Sequence, residues 1–589
     1  MPGLRMPKVF LVFFLISLVL GGMPRVLADP VVDEAMALSR LGATDLALGV
    51  LARQPVDYQA QPGRWMAREQ ARIEILGTSE RWEQVVERTQ GVPVELPVDF
   101  VIWTRTRQAH ALIALERGRE ARDVLRPLIW FGASNATDSW FRAWRRMLAE
   151  SYSLDGRPED ALIALRRYRL DYGSEAGDAA LLEARILLSV GRHEEAVNTL
   201  TGVDGHEAGA LRILARFRAG ALAAEEAVSQ AGRAARGQDR DSVAAARYLA
   251  VAAVAARSLQ DPVQQIPVLE SALVAQSRLG SGDDLYRLTA EPLWQSYLRL
   301  GERLANERQL LIGDDEAWFA LVDSLQARQP LAARGLLAVV ALRSPMPQGQ
   351  AQAHRRLSEQ LATIEGLGAS LLQALYLGDG PFGAADRVPA PVRHLLAETA
   401  LGQGDLDTAS RLMAGLERAP EGVDPFLWGL RRARTLILGG QEEAGIDGLY
   451  QVLSGVRQLE GEAADRFMQV LFDLQSVRRH QDALNLFQVI APRLTERRRL
   501  RELMFWQADS HRALGEHEQA ARLYLRSALL GDSTDMWALS ARFQAAEALG
   551  EAGLVRDARV IYEDLIRRTP EAERRVVLRQ RLQQLQLQQ

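Results

Sequence analysis

The sequence predicts an all-α protein: an α-solenoid in which antiparallel helix-turn-helix repeats follow one another and form a superhelix. A short phrase, glycine followed by four mostly polar residues and then alanine, recurs along the chain. Around it the apolar residues have helical spacing, as Ala161, Leu165 and Tyr168 do, and no useful stretch alternates apolar and polar residues as strands do.

The first element is a segment typical of a secretory signal peptide. Arg5 and Lys8 precede an apolar run from Val9 to Leu20, and helix-breaking and then compact residues lead to Ala28. A membrane anchor is the alternative, but a spanning helix needs about 20 apolar residues, more than this run supplies. We expect cleavage after Ala28, a periplasmic or secreted protein, and no membrane insertion after cleavage.

Composition excludes several classes of protein. The chain has no cysteine, which excludes a lipoprotein anchor, disulfides and thiolate zinc sites, and a large exported chain without disulfides fits a bacterial periplasm. Lys8 is the only lysine, so the chain beyond the signal has none for a P-loop or a Schiff base. A net charge of -4 with interspersed signs argues against nucleic-acid binding.

The recurring phrase marks nine helix-helix junctions. Its glycine can end the first helix in a left-handed conformation, the acidic residues after it suit the start of the second helix, and its alanine allows close packing. A small residue also recurs seven positions before the turn position, at Ala149, Ala184, Ala397, Ala508 and Ala546. The turn and alanine positions are Gly42 and Ala47, Glu116 and Ala121, Gly156 and Ala161, Gly191 and Ala196, Gly404 and Ala409, Gly439 and Ala444, Arg478 and Ala483, Gly515 and Ala520, and Gly553 and Ala558.

This pattern resembles the tetratricopeptide repeat (TPR) family, whose unit is a helix-turn-helix of about 34 residues. The last copy matches best, with Ala546, Gly553, Ala558, Tyr562 and Pro570 at the family's characteristic positions. The resemblance covers about 33–200 and 390–575, and most copies lack the family's first-helix tryptophan and the tyrosine near the turn. It implies a divergent, exported bacterial member with irregular repeats whose first helices line a concave, partner-binding face.

The repeat phase divides the chain into four segments. We expect the signal peptide at 1–28, N-terminal TPR-like repeats at 29–204, degenerate helical repeats at 205–380, and C-terminal TPR-like repeats with a capping helix at 381–589. The last boundary follows from the glycine- and proline-rich stretch between Gly378 and Pro391.

A search for catalytic chemistry predicts that the protein is not an enzyme and has no metal site or cofactor. The eight histidines lack ligand spacing, and no nucleophile or dinucleotide-binding motif is present. Soluble lytic transglycosylases have a superhelical domain of similar shape, but their activity lies in a separate domain with a glutamate followed by serine. Here Glu150-Ser151 and Glu270-Ser271 lie in helical stretches without the glycine and turn of that motif.

The expected partner-binding residues lie on the first helices. Aromatic rings could supply buried area there, and charged groups could set the register of a bound peptide or helix. The alternative is that the same side chains pack or pair along the array. The residues are Phe505, Asp509, Arg512, Phe543 and Glu547 in the last two repeats, and Arg146 and Glu150 in an N-terminal repeat.

A second candidate is an aromatic patch formed by Trp130, Phe131, Trp140, Phe141 and Trp144. It could bind a protein or a glycan, or it could be a local core where two helices meet. The sequence therefore favours a periplasmic scaffold or adaptor that binds a protein partner through the concave face. The alternative is an envelope polysaccharide- or peptidoglycan-associated factor that binds glycan through the aromatic patch.

Overall fold

The computed structural model describes residues 29–587 except 54, 94, 132–136, 174–178, 281–283, 306–307, 309, 311, 379–380 and 532–534. The expected signal peptide, with its cleavage point after Ala28, lies outside this part of the chain. Among the helices described, none combines the length and the hydropathy of a membrane-spanning segment. The helices form two compact units.

The first unit extends to Gln260 and also includes Ala275–Arg287. Besides the 3-10 turns Gln276–Arg278 and Asp284–Tyr286, it contains α1 (Pro30–Arg40), α2 (Thr44–Arg53), α3 (Pro62–Thr78), α4 (Trp82–Gln90), α5 (Val98–Ala114), α6 (Gly118–Phe131), α7 (Asp138–Leu154), α8 (Pro158–Tyr172), α9 (Ala179–Ser189), α10 (His193–Thr199), α11 (His206–Arg218), α12 (Ala224–Arg236) and α13 (Val243–Ala256).

The second unit consists of Asp261–Val274 and the chain from Leu288 onward. It contains α14 (Pro262–Ala275, without its last residue), α15 (Glu291–Leu304), α16 (Asp315–Leu325), α17 (Pro330–Arg343), α18 (Pro347–Ala362), α19 (Gly368–Leu377), α20 (Ala390–Gln403), α21 (Leu406–Met413), α22 (Pro425–Leu438), α23 (Glu442–Ser454), α24 (Gly461–Ser476), α25 (His480–Ile490), the 3-10 turn Ala491–Arg493, α26 (Arg497–Ala513), α27 (His517–Leu529), α28 (Met536–Glu551), α29 (Val555–Arg568) and α30 (Ala572–Leu587).

Helix starts follow from local sequence. Proline occupies the first turn of many helices, where its missing N–H costs no hydrogen bond. Aspartate caps several others: the Asp405 carboxylate accepts from the backbone N–H of Thr408 at 3.0 Å, and Asp424 accepts from Leu427 at 2.8 Å. These helix starts therefore depend on residues that are close together in the sequence.

Helix packing confirms the predicted fold class, an all-α array of antiparallel helix-turn-helix repeats. In the first unit each odd-numbered helix from α1 to α11 packs against the next helix in the chain and against the next odd-numbered helix. We call the odd-numbered helices of this unit first helices and the even-numbered ones second helices. From α20 onward the same roles are taken by even-numbered first helices and odd-numbered second helices. The described residues form no strand, apart from one isolated bridge between Leu459 and Leu494.

The predicted turns have the expected geometry in most repeats. The turn glycines are left-handed, with φ between 66° and 85°, at Gly42, Gly156, Gly191, Gly404, Gly515 and Gly553. Glu116 and Arg478 adopt the same conformation without glycine, and Glu80 marks a further turn that the sequence pattern missed. The alanine after each turn is fully buried at Ala47, Ala121, Ala161, Ala196, Ala409, Ala483, Ala520 and Ala558.

One predicted turn is shifted by one residue. Gly440, with φ 80°, is left-handed, whereas the expected turn residue Gly439 is not. Five positions after Gly440 the buried small residue is Gly445, and Ala444 is only half-buried. The prediction that Gly439 and Ala444 hold these positions was therefore wrong, because the paired glycines made the phase ambiguous.

The segment boundaries near 204 and 380 stay predictions. The two compact units divide near residue 260. Phe382, just beyond the second expected boundary, stacks on Tyr376 of α19 at 5.2 Å between ring centroids, and its ring also meets that of Trp294 on α15 at 5.9 Å. This stretch therefore packs within the second unit. At the C-terminal end of that unit, α30 buries Leu578 and Leu585 against Tyr562 and its neighbours.

Candidate functional site

The predicted carboxylates of the last two repeats bind within their own hairpins. Asp509 on α26 accepts a hydrogen bond from the Tyr524 hydroxyl on α27 at 2.8 Å. Glu547 on α28 accepts one from the Tyr562 hydroxyl on α29. The two pairs have the same sequence separation of 15 residues. Each carboxylate therefore helps to join the first and second helix of its repeat.

Arg512 joins neighbouring first helices. Its Nε and Nη2 donate to the two carboxylate oxygens of Glu551 on α28 at 2.8 and 2.5 Å, and its Nη1 donates to Gln544 at 2.7 Å. These hydrogen bonds raise the pKa of Arg512 and lower that of Glu551. The guanidinium is thus engaged by groups within the array.

Both predicted groove phenylalanines are half-buried. Phe505 meets Tyr524 and Trp537, each at 5.1 Å between ring centroids. Phe543 meets Tyr562 edge-on at 6.1 Å. The structure brings all five C-terminal candidates onto α26 and α28, where they pack and pair with their neighbours. Their part in binding a partner stays a prediction.

The N-terminal candidates Arg146 and Glu150 lie on α7 in a strip of charges across the first helices. Burial raises the pKa of Glu150, opposed by the charges of Arg146 and Arg185. On α5, burial together with the smaller effects of the Arg107 and Arg146 charges lowers the pKa of His110 to about 4. Arg146 therefore acts electrostatically on both α5 and its own helix, as a residue on a shared face does.

The same strip continues to α13. Glu207 on α11 pairs with Arg185 on α9 at 2.5 Å and with Arg247 on α13 at 2.8 Å. At the other end, the Arg107 guanidinium lies over the Trp103 ring, 5.4 Å from its centroid. The first helices of this unit thus present alternating charges along one face.

A cavity that the sequence did not predict opens on the first helices of the second unit. It has a volume of about 420 Å³ and lies between α20, α22 and α24. Its apolar lining comes from Pro420, Val423, Leu427, Trp428, Leu430 and Val470. Its polar lining comes from Glu398, Arg431, Arg434, Arg466 and Gln469. The available signal was the run Trp428 to Arg434, which places a tryptophan and three arginines on one short helix.

Three arginines of this cavity each pair with one carboxylate through part of the guanidinium. Arg431 Nη2 donates to Glu398 at 2.5 Å, Arg434 Nε pairs with Asp473 at 2.7 Å, and Arg466 Nε and Nη2 share one oxygen of Glu462. A guanidinium has five N–H donors, so each arginine keeps donors for a further acceptor. About half of each arginine side chain is exposed.

The predicted five-ring aromatic patch is not one surface, and this corrects the expectation. Trp144 on α7 is fully buried, and its Nε1 donates to Thr106 Oγ1 on α5 at 2.8 Å. Trp140 and Phe141 are half-buried and meet the Trp144 ring edge-on at 5.8 and 5.2 Å. These three rings form the local core that the sequence left as the alternative.

The other two rings stay on the surface. Trp130 is 77% exposed and Phe131 is 82% exposed, at the C-terminal end of α6. Of the five rings in the predicted patch, these two are the ones whose edges and faces are both accessible to an external ligand.

The two glutamate-serine pairs are placed as helix residues. Glu270 on α14 is buried and accepts from the Tyr297 hydroxyl at 2.5 Å and from Arg334 Nη1 at 2.6 Å. Ser271 Oγ donates to the Pro267 carbonyl and Ser151 Oγ to the Leu148 carbonyl. In the described part of the chain, no three histidine, aspartate or glutamate side chains come together as metal ligands would.

Comparison with known proteins gives similarity to solved structures only. No family model matches the chain, and no curated protein matches it. Similar solved structures include the APC/C hetero-tetramer Cut9-Hcn1, with 12% identity, a TM-score of 0.28, and coverage of 98% of this chain and 99% of that chain. Naa15/Naa10 bound to HypK-THB has 13% identity, a TM-score of 0.25, and coverage of 94% and 91%. Yeast Tom70 has 11% identity, a TM-score of 0.23, and coverage of 84% and 97%. At these scores the matches bear on neither function nor partner, and the fold class follows from the helices and turns of the chain itself.

Proposed function

We infer that this protein is a non-enzymatic scaffold or adaptor of the bacterial cell envelope, exported to the periplasm, that binds a segment of a partner protein on its first helices. The cavity between α20, α22 and α24 carries this inference. Export is supported by the N-terminal residue pattern described above.

The cavity has the chemistry of a protein-binding site. Tryptophan and arginine dominate the energetics of protein interfaces, and here they line one concavity. An apolar side chain of the partner fits over Val423 and Leu427, and a carboxylate nearby can accept from Arg431 or Arg466. The first-helix strip of the first unit, considered by itself, presents charges that can fix the register of a partner segment bound there.

A crosslinking pull-down from envelope extracts tests the function. The cavity variant combines Val423→Asp with Arg431→Glu, both at side chains that are about half exposed. The matched control is Arg411→Glu, an exposed arginine on α21 outside the cavity. We expect the cavity variant to lose a partner that the wild type and the control both retain. Retention of every partner by the cavity variant would show that the cavity is not the binding site.

Glycan binding is the second candidate, and the exposure of Trp130 and Phe131 favours it. Exposed aromatic faces can stack on sugar rings. Titration with peptidoglycan and exopolysaccharide fragments should change tryptophan fluorescence in the wild type and not in Trp130→Ala. Absence of any change at about millimolar fragment, the weak end of specific affinities, would count against this function.

A further inference from the structure

One second helix of the first unit is much shorter than the two before it. The buried alanines Ala121, Ala161 and Ala196 align α6, α8 and α10 as equivalent elements. α6 has 14 residues and α8 has 15, but α10 has only 7. At a rise of 1.5 Å per residue, α10 ends about 12 Å short of α8. The layer of second helices therefore has a gap at this repeat.

The gap is a cavity of about 710 Å³. Leu162 of α8 and Leu187 of α9 lie in its lining and are themselves buried, whereas Leu170 on α8 is 81% exposed. The end of α10, at Asn198 and Thr199, closes one side. The base of the gap thus consists of Leu162, Leu187 and the carboxylate of Glu183, which pairs with Arg169, and an exposed leucine lies at its edge.

Leu170 has an exposed apolar counterpart on the preceding second helix. It lies nine positions after Ala161, and the exposed Trp130 lies nine positions after Ala121. Equivalent positions on consecutive second helices are neighbours on the outer surface, about 10 Å apart. In the next repeat the corresponding position falls beyond the end of α10. The two exposed apolar side chains therefore have no counterpart in the repeat that contains the gap.

The charge of the gap selects its occupant. Glu183 pairs with Arg169 at 2.7 Å, and Glu195 pairs with Arg192 at 2.6 Å. Arg166, which also lines the gap, forms no ion pair with any described residue. The hydrogen bond and charge of Arg192 lower the pKa of Glu195, and the charge of Arg166 adds the smallest effect. Among the described residues, Arg166 is therefore a cation without an ion-paired carboxylate, and it shares the lining of the gap with Leu162 and Leu170.

We propose that the gap between α8 and α10 binds an amphipathic helix of a partner protein, with its apolar side chains on Leu170 and the base of the gap and a carboxylate on Arg166. A helix satisfies its own backbone groups and has the diameter of the missing turns of α10. This surface is formed by α8, α9 and α10, so it is separate from the cavity between α20, α22 and α24.

A synthetic helical peptide tests the proposal with the full-length protein. The peptide carries leucines at helical spacing on one face and glutamates elsewhere, and a second peptide replaces every glutamate by lysine. Fluorescence anisotropy should show binding of the acidic peptide, weakened about tenfold by Leu170→Ser through lost apolar burial. Arg166→Glu should weaken it about fivefold and should improve binding of the lysine peptide.

Matched controls lie on the same helix and in the other unit. Ile163 on α8 is also exposed but does not line the gap, so Ile163→Ser should bind the acidic peptide as the wild type does. The cavity variant Val423→Asp with Arg431→Glu should also bind it normally, which separates this proposal from the proposed function. Equal binding of both peptides, no binding of either, or equal binding by Leu170→Ser would overturn the proposal. Self-association of the protein that is lost in Leu170→Ser would instead assign the gap to a second copy of the chain.

Discussion

His354 on α18 shows how a single side chain is held neutral by its surroundings. Its ring meets those of Tyr376 and Phe382 at 5.8 and 5.3 Å, and its Nδ1 lies 3.0 Å from the Tyr376 hydroxyl. Burial lowers the pKa of His354 to about 4. A neutral imidazole can accept a hydrogen bond from the Tyr376 hydroxyl through Nδ1, whereas a charged one would place a buried charge among aromatic rings. The backbone hydrogen bond with Ala341 opposes this effect and raises the pKa of His354 only in part.

This environment predicts a loss of stability in mild acid. In the unfolded chain the imidazole has an ordinary pKa of about 6.5. Below that pH the unfolded state binds a proton, whereas the folded state binds it only near pH 4. Stability should therefore fall as the pH drops from about 6.5 toward 4. Between about pH 7 and pH 4.5, His354 should lower the free energy of unfolding by about 2 kcal/mol.

Urea unfolding at the two pH values measures this contribution. His354→Gln should lose less stability at the lower pH than the wild type does. Some loss should remain, because the pKa of His110 is also about 4. The exposed His206 supplies the control, since His206→Gln should follow the wild type. Identical pH dependence in the wild type and His354→Gln would contradict the assignment.

At the scale of helices, close packing within a repeat depends on the small residue of the second helix. At Gly445 on α23, an added Cβ would lie 2.6 Å from Ile437 Cγ1 and 2.8 Å from the Ala433 carbonyl oxygen on α22. The two helices therefore approach more closely here than an alanine allows. This contact explains why glycine, and not the alanine of the other repeats, follows this turn.

Gly445→Ala should destabilise the protein by about 1–3 kcal/mol because the extra methyl group overpacks the contact. Thermal unfolding of the full-length protein measures the effect as a lower Tm. Gly402→Ala on α20 is the matched control: its added Cβ meets nothing within 4 Å, so it should be neutral or stabilise by up to about 1 kcal/mol. A Tm for Gly445→Ala at or above the wild-type value would mean that α22 and α23 adjust without cost.

The helices were more predictable from sequence than the sites. Glycine and alanine at fixed spacing determine local conformation and one packing contact, so Gly156 with Ala161 could be recognised without tertiary knowledge. The turn at Glu80 could not be recognised in this way, because a left-handed turn can form without glycine when packing supports it.

Site residues depend on side chains from different helices. The repeated separation between Asp509 and Tyr524, and between Glu547 and Tyr562, was visible in the sequence and could have suggested hydrogen bonds within each hairpin. The cavity beside Trp428 could not be predicted, since three helices must be placed before it exists. The splitting of the aromatic patch likewise depends on which side of α7 faces α5.

At the scale of the whole molecule, the chain passes between the two units three times from residue 261 onward. Asp261–Val274 belongs to the second unit, Ala275–Arg287 to the first, and the chain from Leu288 to the second. α14 is attached to its unit by Glu270, which bonds Tyr297 on α15 and Arg334 on α17. Removal of one member of a buried pair leaves a charge without compensation, which costs about 3–5 kcal/mol.

A fragment that begins at residue 288 should therefore be unstable and should be rescued by the missing helix. Without Glu270, Arg334 is left without its carboxylate in a buried position. Thermal unfolding of the fragment should show a higher Tm after addition of a synthetic peptide with the sequence 261–274. The same peptide with Glu270→Gln should raise the Tm less. Equal effects of the two peptides would show that Glu270 adds nothing to the other contacts of α14, such as those of Gln265 with Ser296 and Arg299.

The placement of α14 also sets an order of events during synthesis. Glu270 leaves the ribosome 64 residues before Arg334, and the last residues of the first unit, Ala275–Arg287, emerge between them. At synthesis rates of about 5–20 residues per second, the Arg334 guanidinium emerges on the order of seconds after Glu270. During that interval the Glu270 carboxylate lacks the guanidinium of Arg334, so we expect this helix to depend on a chaperone until the rest of the second unit is complete.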